Sequence, residues 1–187
     1  MAWQIFEEQA GGYEDLYATP RGRRVDIAER GLIRELLERF PRTRTILEVG
    51  SGTGHFSGWL YESGFSVVGL ERAPAMLEQA RQLYPTTRFV LGDAERLPFR
   101  NGAFDVVGFI TTLEFLENPR TALRESVRLA RNGLLAVVLN RCSAGGLSRR
   151  FGRYSRGALL GQARDYGLGR LRREVQSAAG VRLADFF

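Results

Sequence analysis

Three glycines at alternate positions follow a short apolar segment that ends in an acid, in the stretch ILEVGSGTGHFSGWL at residues 46–60. Glycine lets the backbone approach a ligand closely, and the first N–H groups of the helix expected after this loop would face an anionic group. The loop could therefore hold a phosphate or a carboxylate. Its spacing departs from the dinucleotide fingerprint, because His55 stands where the third glycine belongs, and no Gly-Lys-Ser/Thr follows as in a phosphate-binding loop.

The chain around this loop alternates between apolar segments and segments of helical period. The first helix is predicted over about Val25–Phe40, with Val25, Ala28, Leu32, Leu36 and Phe40 on its buried face. Further helices are predicted over HFSGWLYES, residues 75–83 and NPRTALRESVRLAR, between strands in TILEV, FSVVGLE, TRFVLGD, FDVVGFI and LLAVVLN. Apolar strands separated by helices predict a doubly wound α/β fold, whose ligands bind beyond the carboxyl ends of parallel strands.

With Glu48 included, the loop has the pattern Glu-x-Gly-x-Gly-x-Gly, which resembles motif I of the class I S-adenosylmethionine-dependent methyltransferases. The stretches ERAPAML, GDAERLPF, FDVVGFITTLEFLENP and RNGLLAVVLN also resemble that family, in its order and spacing. The most similar subgroup is methyltransferase type 11 (UbiE-like). The resemblance covers about residues 10–140 and implies a Rossmann-like sheet of strand order 3-2-1-4-5-(7)-6, with S-adenosyl-L-methionine as cofactor and S-adenosyl-L-homocysteine as product.

The resemblance also implies roles for individual residues. The loop would hold the methionine carboxylate, Glu71 the ribose hydroxyls, Asp93 the adenine amino group, and the Ala94 N–H a ring nitrogen. The full set of cofactor-binding residues that we predict is Glu48, Gly50, Ser51, Gly52, Gly54, Glu71, Arg72, Asp93, Ala94, Thr111, Tyr13 and Tyr17. The two tyrosines resemble the family's N-terminal aromatic segment, which folds over the cofactor. The alternatives are turn glycines, a surface acid at Glu71, a helix cap at Asp93, and tyrosines that only pack in the core.

Two residues are candidates for catalysis. His55 is the only histidine and could act as a general base, with packing beside the cofactor as the alternative. Glu114 lies just past the fourth strand and could orient the acceptor or take its proton, with a capping carboxylate as the alternative. Methyl transfer from a sulfonium mainly requires that the acceptor be held close with solvent excluded, so a base is needed only for an acceptor that loses a proton.

Missing motifs narrow the class of acceptor. The chain has no Asn/Asp-Pro-Pro-Tyr/Phe after the fourth strand, which methylation of planar amino groups uses. Cys142 lacks the Pro-Cys context of base C5 methylation, and a single cysteine does not fit the arsenite methyltransferase pattern. These absences leave oxygen, aliphatic nitrogen, sulfur or activated carbon in a small-molecule acceptor.

Length and composition predict one domain. The chain has 187 residues, of which 44% are hydrophobic, and shows no signal peptide or membrane span. We divide it into an N-terminal cap and first helix (1–44), a cofactor-binding core (45–140), and a basic cap insertion with the last helix and sixth strand (141–187). The single cysteine suits a reducing cytoplasm, and no metal is predicted. The oligomeric state is left open.

Positive charge is concentrated at the C-terminal end. Residues 1–140 have a net charge of −1 and residues 141–187 a net charge of +7. Leu168, Leu171, Val175 and Ala178 are predicted to form a buried helix face, with arginines turned outward. The arginines could form a solvated face, steer an acidic acceptor, or bind nucleic acid.

Three alternatives to a small-molecule methyltransferase therefore stay open. They are an RNA methyltransferase, a protein that binds the cofactor without turnover, and, as the most distant, a nicotinamide oxidoreductase. The final VRLADFF is predicted to be strand six, so strand seven has no residues in this chain. Its absence would mean a truncated product, or a slot filled by another element or by a partner subunit.

Overall fold

The computed structural model describes residues 3–139, 163–164 and 166–179. The helices are α1 (Trp3–Gln9), α2 (Asp15–Ala18), α3 (Pro20–Glu38), α4 (His55–Glu62), α5 (Pro74–Leu83), α6 (Pro119–Leu129) and α7 (Leu168–Ala179), with short 3₁₀ turns at Ala10–Gly12 and Leu113–Phe115. The strands are β1 (Thr45–Val49), β2 (Ser66–Glu71), β3 (Arg88–Leu91), β4 (Phe104–Ile110) and β5 (Ala130–Val137). The predicted insertion at 141–162 and the predicted strand in VRLADFF lie outside the described residues.

The five described strands form one parallel sheet in the order β3-β2-β1-β4-β5. The central strand β1 pairs with β2 on one side and β4 on the other, so that Leu47 lies opposite Val68 and Val107. Chain order reverses at β1. The chain continues from β1 to β2 and β3 on one side of it and then crosses to β4 and β5 on the other side. The predicted fold class and the order of the first five strands are confirmed, and the crevice at the carboxyl end of β1 is the expected ligand position.

Helices cover both faces of the sheet. Successive side chains of a strand point to opposite faces, so each strand packs against helices on both sides. Ile46 of β1 packs in a cluster with Ile33 of α3 and Leu60 of α4. Its neighbour Leu47 packs on the opposite face, in a cluster with Leu123 of α6. The two buried layers fix the direction of β1 and thereby the position of the glycine loop that follows it.

The first long helix begins earlier than its apolar pattern predicts. Thr19 caps α3 by accepting a hydrogen bond from the Gly22 N–H at 2.9 Å, and Pro20 occupies the first helical position. The predicted buried face was wrong at its N-terminal end, because Val25 is 46% exposed. Ile33 and Leu37 are the residues of α3 that are fully buried. The helix therefore contacts the sheet through its C-terminal half, and its N-terminal half lies beside the ligand crevice.

The last described helix packs as its spacing predicts. Leu171 and Val175 are buried, and both join the core cluster that includes α6. On the other side, Arg170 bonds Glu174 at 3.0 Å and lies 5.1 Å from the centre of the Tyr166 ring. Glu174 is only 8% exposed and also accepts a hydrogen bond from the Tyr166 hydroxyl at 2.7 Å, while Arg172 and Arg173 are exposed, as a solvated face would require.

Asp105 lies at the start of β4, at the end of the strands opposite the crevice, and its side chain links β4 to the start of β1. Its Oδ2 accepts hydrogen bonds from the backbone N–H groups of Arg44 and Thr45, each at 2.9 Å, and from the Thr45 hydroxyl at 3.0 Å. These donors, that of Arg44 foremost, lower the pKa of Asp105 to about 2.

Replacing Asp105 by asparagine should therefore lower the free energy of unfolding by about 1–2 kcal/mol at pH 7. A depressed carboxyl pKa stabilises the fold above the unfolded value of about 3.9, and this contribution is lost as pH falls towards 2. Urea unfolding at several pH values checks the prediction. The difference between the variant and the wild type should shrink between pH 4 and pH 2, and a difference that does not depend on pH would contradict it.

Neither a membrane-crossing helix nor a metal-binding cluster is found among the described residues. Their helices lack the combination of length and apolar composition that a bilayer requires. In the same residues, no three His, Cys, Asp or Glu side chains converge as metal ligands would.

Candidate active site

The glycine loop joins β1 to α4 and adopts the backbone conformations that its glycines allow. Gly50 has φ of +76° and Gly52 has φ of +54°. A Cβ at Gly50 would lie 2.2 Å from Cγ2 of Thr112, so the loop presses against the segment that follows β4. A Cβ at Gly52 would meet no atom within 4 Å and would project into open space. Gly52 is therefore the point at which a ligand could approach the backbone of the loop most closely.

Glu71, the last residue of β2, binds this loop from the neighbouring strand. Its Oε2 accepts a hydrogen bond from the Gly52 N–H at 2.9 Å. Its Oε1 accepts from the N–H groups of Arg72 at 2.8 Å and Ala73 at 2.9 Å. Burial raises the pKa of Glu71 above its ordinary value, and these three donors oppose the rise. The predicted alternative of a surface acid does not fit, because Glu71 is only 8% exposed.

The loop after β3 supplies the next part of the wall. Asp93 and the buried Ala94 line the cleft beside Glu71. Asp93 Oδ1 accepts from the Glu95 N–H at 2.9 Å, and its Oδ2 lies 3.4 Å from Arg72 Nη1. Asp93 thus stabilises its own turn, as the capping alternative requires, while its half-exposed carboxylate faces the cleft.

Glu48 lies at the base of the cleft and is 2% exposed. Burial raises its pKa to about 8, although a hydrogen bond from the Ser57 hydroxyl opposes the rise. The side chain is therefore mostly an uncharged carboxylic acid at pH 7, which can donate as well as accept a hydrogen bond.

A wall of aromatic rings closes the cleft from the N-terminal side. Phe6 of α1 meets Phe115 edge-on at 4.9 Å and Tyr13 at 6.2 Å between ring centres. Tyr13 continues to Tyr17 at 6.3 Å, and Tyr17 stacks on His55 at 3.7 Å with an angle of 4° between the rings. Burial raises the pKa of Tyr13 to about 12 and that of Tyr17 further, so both phenols are neutral. The predicted tyrosines therefore line the cleft and pack together at once.

Comparison with known proteins agrees with this geometry. Residues 47–138 match the family model described as "Methyltransferase domain". The solved structure of an S-adenosylmethionine-dependent methyltransferase from Thermotoga maritima, described as a possible histamine N-methyltransferase, superposes with a TM-score of 0.80. It is 28% identical, and the match covers 95% of this chain and 80% of that one. The chain contains a class I S-adenosylmethionine-dependent methyltransferase domain of type 11.

Curated relatives match over part of their length. A malonyl-[acyl-carrier protein] O-methyltransferase of Serratia marcescens is 32% identical over 76% of this chain and 52% of its own length. A demethylmenaquinone methyltransferase of Renibacterium salmoninarum is 34% identical over 50% of this chain and 39% of its own length. This methyltransferase domain thus spans about half the length, or less, of these relatives.

The residues of the methyltransferase domain fit its cofactor. Gly52 offers an open backbone turn, and the Glu71 carboxylate beside it uses three of its acceptor positions on backbone donors and keeps capacity for another. Glu48, Ser51, Arg72, Asp93, Ala94 and Thr111 line the same cleft, as do Gly50, Tyr13 and Tyr17. Of the predicted cofactor residues, Gly54 is set back from the cleft, where a Cβ would lie 2.6 Å from the Phe89 ring.

His55 lies in the cleft wall, but its ring nitrogens are engaged by carboxylates. Nε2 lies 2.7 Å from Asp26 Oδ1, and Nδ1 lies 3.4 Å from Glu14 Oε2. Burial alone would lower the pKa of His55, but the hydrogen bonds to Glu14 and Asp26 raise it above 6.5. Nε2 also lies 2.9 Å from Arg30 Nη2, so both ring nitrogens are occupied by charged neighbours. The contacts therefore favour the packing role of His55 over the predicted role of general base.

Glu114 lies in the 3₁₀ turn after β4, and its side chain is fully buried. Its Oε1 accepts a hydrogen bond from the Leu139 N–H just after β5, and its backbone oxygen accepts from the Arg164 N–H at 3.0 Å. The cleft is lined by the neighbouring Thr112 and Phe115. These contacts favour an anchoring role for Glu114, which ties the turn to the sheet, over the predicted role in proton transfer.

The two roles of Glu114 predict different results for substitution. We expect Glu114→Ala to lower the free energy of unfolding by about 2–4 kcal/mol, because the Leu139 N–H loses its acceptor and a cavity is left. Glu114→Gln should lose less than half of that, since its amide oxygen can still accept. Chemical unfolding of both variants checks this order. A Glu114→Gln variant of wild-type stability that has lost methyl transfer would instead assign Glu114 to the chemistry.

Several residues of the site were not predicted from the sequence. Thr111 was predicted, but not its left-handed backbone, with φ of +49°, which is strained for a β-branched residue and turns the chain into the cleft. The apolar positions of the first ten residues were the signal that could have indicated an aromatic wall. The cleft residues that were missed are Trp3, Phe6, Thr53, Phe56, Leu70, Gly92, Glu95, Ile110, Thr112, Phe115, Leu116 and Glu117.

Proposed function

We propose that this chain transfers a methyl group from S-adenosyl-L-methionine to a small-molecule acceptor held beside the aromatic wall. One observation supports the proposal above the others: the open turn at Gly52 and the carboxylate of Glu71 are joined by a 2.9 Å hydrogen bond inside a cleft at the switch point of the sheet. A glycine turn that admits close approach and a buried acid with remaining acceptor capacity, at that point of the sheet, suit a nucleoside ligand.

The residues of the cleft divide the work between binding and shielding. When bound, S-adenosylmethionine supplies a methyl group on a positively charged sulfur. Glu71 and Asp93 would accept hydrogen bonds from the nucleoside part. The N–H groups of Gly50 and Gly52 already donate to Leu70 and Glu71, so the glycine loop would serve mainly by letting the ligand approach its backbone closely. Trp3, Phe6, Tyr13, Tyr17 and Phe115 would exclude water and restrict the acceptor to a short approach, which accounts for most of the acceleration expected for such a transfer.

The charge of the described cleft bears on the acceptor. Its wall includes the acids Glu71, Asp93, Glu95 and Glu117, while its cations, Arg72 and His55, already contact acids. We infer that this part of the cleft favours an uncharged or cationic acceptor. An acidic acceptor, which the arginine-rich C-terminal quarter suggests, would need arginines from that quarter, five of whose ten lie in the undescribed segment 141–162.

The relatives compared above are named as a malonyl-[acyl-carrier protein] O-methyltransferase and a demethylmenaquinone methyltransferase. These names support a small-molecule acceptor here, with RNA methylation and binding without turnover kept as the alternatives. A cytoplasmic location belongs to the same proposal and rests on the single cysteine in 187 residues.

Calorimetric titration with S-adenosylmethionine, S-adenosylhomocysteine and NAD tests the proposal. Micromolar binding of the two sulfur nucleotides, without binding of NAD, is expected. Transfer of a labelled methyl group is then measured with matched neutral, amine and carboxylate acceptors. Absence of binding by the sulfur nucleotides would overturn the proposed function, and binding without transfer to any acceptor class would favour the non-catalytic alternative.

A further inference from the structure

His55 lies at the junction between the core and the N-terminal cap, defined here as residues 3–30, which precede the part of α3 that packs on the sheet. It opens α4 directly after the glycine loop, so it belongs to the core. Both carboxylates that bond its ring belong to the cap: Asp26 on α3, at 2.7 Å from Nε2, and Glu14 just before α2, at 3.4 Å from Nδ1. One core imidazole is thus bound by two cap acids from different segments.

Two further contacts connect the cap to the glycine loop and to His55. The Thr53 hydroxyl, within the glycine loop, donates to Glu14 Oε1. The Tyr17 ring of the aromatic wall stacks on His55, which is only 9% exposed. Water is largely excluded from the contact with Asp26, whose side chain is 18% exposed, so that ion pair is weakly screened, whereas Glu14 is 34% exposed.

Other charged groups face His55 from α3 and β1. Arg30 Nη2 lies 2.9 Å from His55 Nε2 and can only donate, so this contact suits the deprotonated ring, whereas the 2.7 Å contact of Nε2 with Asp26 Oδ1 suits the protonated ring. Asp26 Oδ1 also accepts from Arg30 Nε at 2.7 Å. Burial, together with Asp26, raises the pKa of Glu29 to about 7. Glu48, below the ring, has a pKa raised to about 8. Near pH 7, the ionised partners of His55 are therefore chiefly Glu14 and Asp26.

We propose that His55 is a positioning residue whose protonated ring holds the N-terminal cap against the glycine loop through Glu14 and Asp26, as a latch. The cap opens as this proton is lost. The Tyr17 stack couples the latch to the wall of the cleft, so opening widens access to the cofactor site. This inference depends on the proposed function only for the choice of ligand in its test.

The direction of the pH dependence follows from the contacts. The His55 pKa is raised in the closed cap, so closure is fully favoured below about pH 6.5 and is weakened as pH rises through the closed-cap value. Glu29 acts in the same direction, because its ionisation above about pH 7 places a buried charge beside Asp26. Burial would raise the pKa values of Glu14 and Asp26, but hydrogen bonds to His55, Thr53 and Arg30 outweigh it and hold these values below 4.5 and 3.8. At still lower pH the two acids become protonated, and the latch weakens.

The first measurement is an NMR titration of the full chain. His55 is the only histidine, so one imidazole signal reports the latch without assignment. Its pKa should exceed 6.5 in the wild type and fall towards 6.5 in Asp26→Asn, with a tenfold weaker closing equilibrium for each unit lost. Asp15→Asn is the matched control, because Asp15 is an exposed acid of the cap at the start of α2. A wild-type pKa at or below 6.5 would overturn the proposal.

The second measurement is amide hydrogen exchange of residues 3–19, expressed as protection factors at pH 6 and pH 9. Protection should fall at pH 9 in the wild type, be low at both values in His55→Gln and Asp26→Asn, and follow the wild type in Asp15→Asn. S-adenosylhomocysteine affinity should follow protection, weakening by up to tenfold for each unit by which the closed-cap pKa is raised.

These readouts separate the latch from the proposed function. A raised His55 pKa with matching changes in protection supports the latch even if S-adenosylhomocysteine does not bind, in which case the proposed function alone fails. Cap protection that is the same at both pH values, or unchanged in Asp26→Asn, would overturn the latch whatever the ligand does.

Discussion

Replacement of Glu71 by alanine is expected to weaken S-adenosylhomocysteine binding by about a hundredfold. The carboxylate accepts hydrogen bonds from Gly52, Arg72 and Ala73 at 2.8–2.9 Å, and it keeps capacity for a ligand hydroxyl. Removing it leaves three N–H groups without their acceptor, although the loop stays bonded to β2 through the Gly50 and Ser51 N–H groups, which donate to the Leu70 oxygen. Hydrogen bonds to charged groups contribute about 1.5–3 kcal/mol each, so a net loss of roughly 2.7 kcal/mol, or a hundredfold in Kd, is a moderate expectation.

Two further variants, one with an intermediate expected effect and one with almost none, provide a comparison for Glu71→Ala. Glu71→Gln keeps one acceptor oxygen but places an amide N–H₂ against backbone donors, so its affinity should lie between those of the wild type and Glu71→Ala. Glu78→Ala removes an exposed acid of α5, the helix that follows β2, and should leave binding within about twofold. Calorimetry of all three at one pH is the measurement. A Glu71→Ala variant that binds within threefold of the wild type would remove Glu71 from the cofactor site.

The part of the fold that was predictable from sequence is the part fixed by local pattern. The apolar runs of β1, β2 and β4 and the glycines after β1 are sufficient to predict a parallel sheet and its crevice, because strand period and turn chemistry act over a few residues. The first helix shows where this stops. Val25 and Ile33 both fit an apolar face, but only Ile33 is buried, since the N-terminal half of α3 passes beside the crevice instead of over the sheet.

The site shows the same division between local and distant causes. Glu71 and Gly52 were predicted because each terminates a strand or occupies a turn with a recognisable pattern. The partners of His55 were not, because Glu14 and Asp26 are separated from it by 41 and 29 residues and meet it only when the cap folds back. Glu114 was placed at the correct end of β4, but its bond to the Leu139 N–H, 25 residues away, and the left-handed backbone of Thr111 before it were not predictable from local pattern.

The two glycines that begin the loop should fail in different ways when replaced by alanine. Both have positive φ, so each alanine carries a backbone penalty of about 1–2 kcal/mol. At Gly50 the new Cβ would also lie 2.2 Å from Cγ2 of Thr112, a buried β-branched side chain with little freedom to move. At Gly52 it would meet no protein atom and would occupy the space in which the loop faces the ligand.

Gly52→Ala is therefore expected to weaken S-adenosylhomocysteine binding by about a hundredfold while it lowers the free energy of unfolding by only about 1–2 kcal/mol. Gly50→Ala should lower it by about 3–5 kcal/mol, since strain and overlap add. Urea unfolding and calorimetry of both variants, with Gly64→Ala as a control for φ strain outside the cleft, separate the two effects. If Gly52→Ala bound the ligand as tightly as Gly64→Ala does, the open turn at Gly52 would be only a turn, and the cofactor would have to lie elsewhere in the cleft.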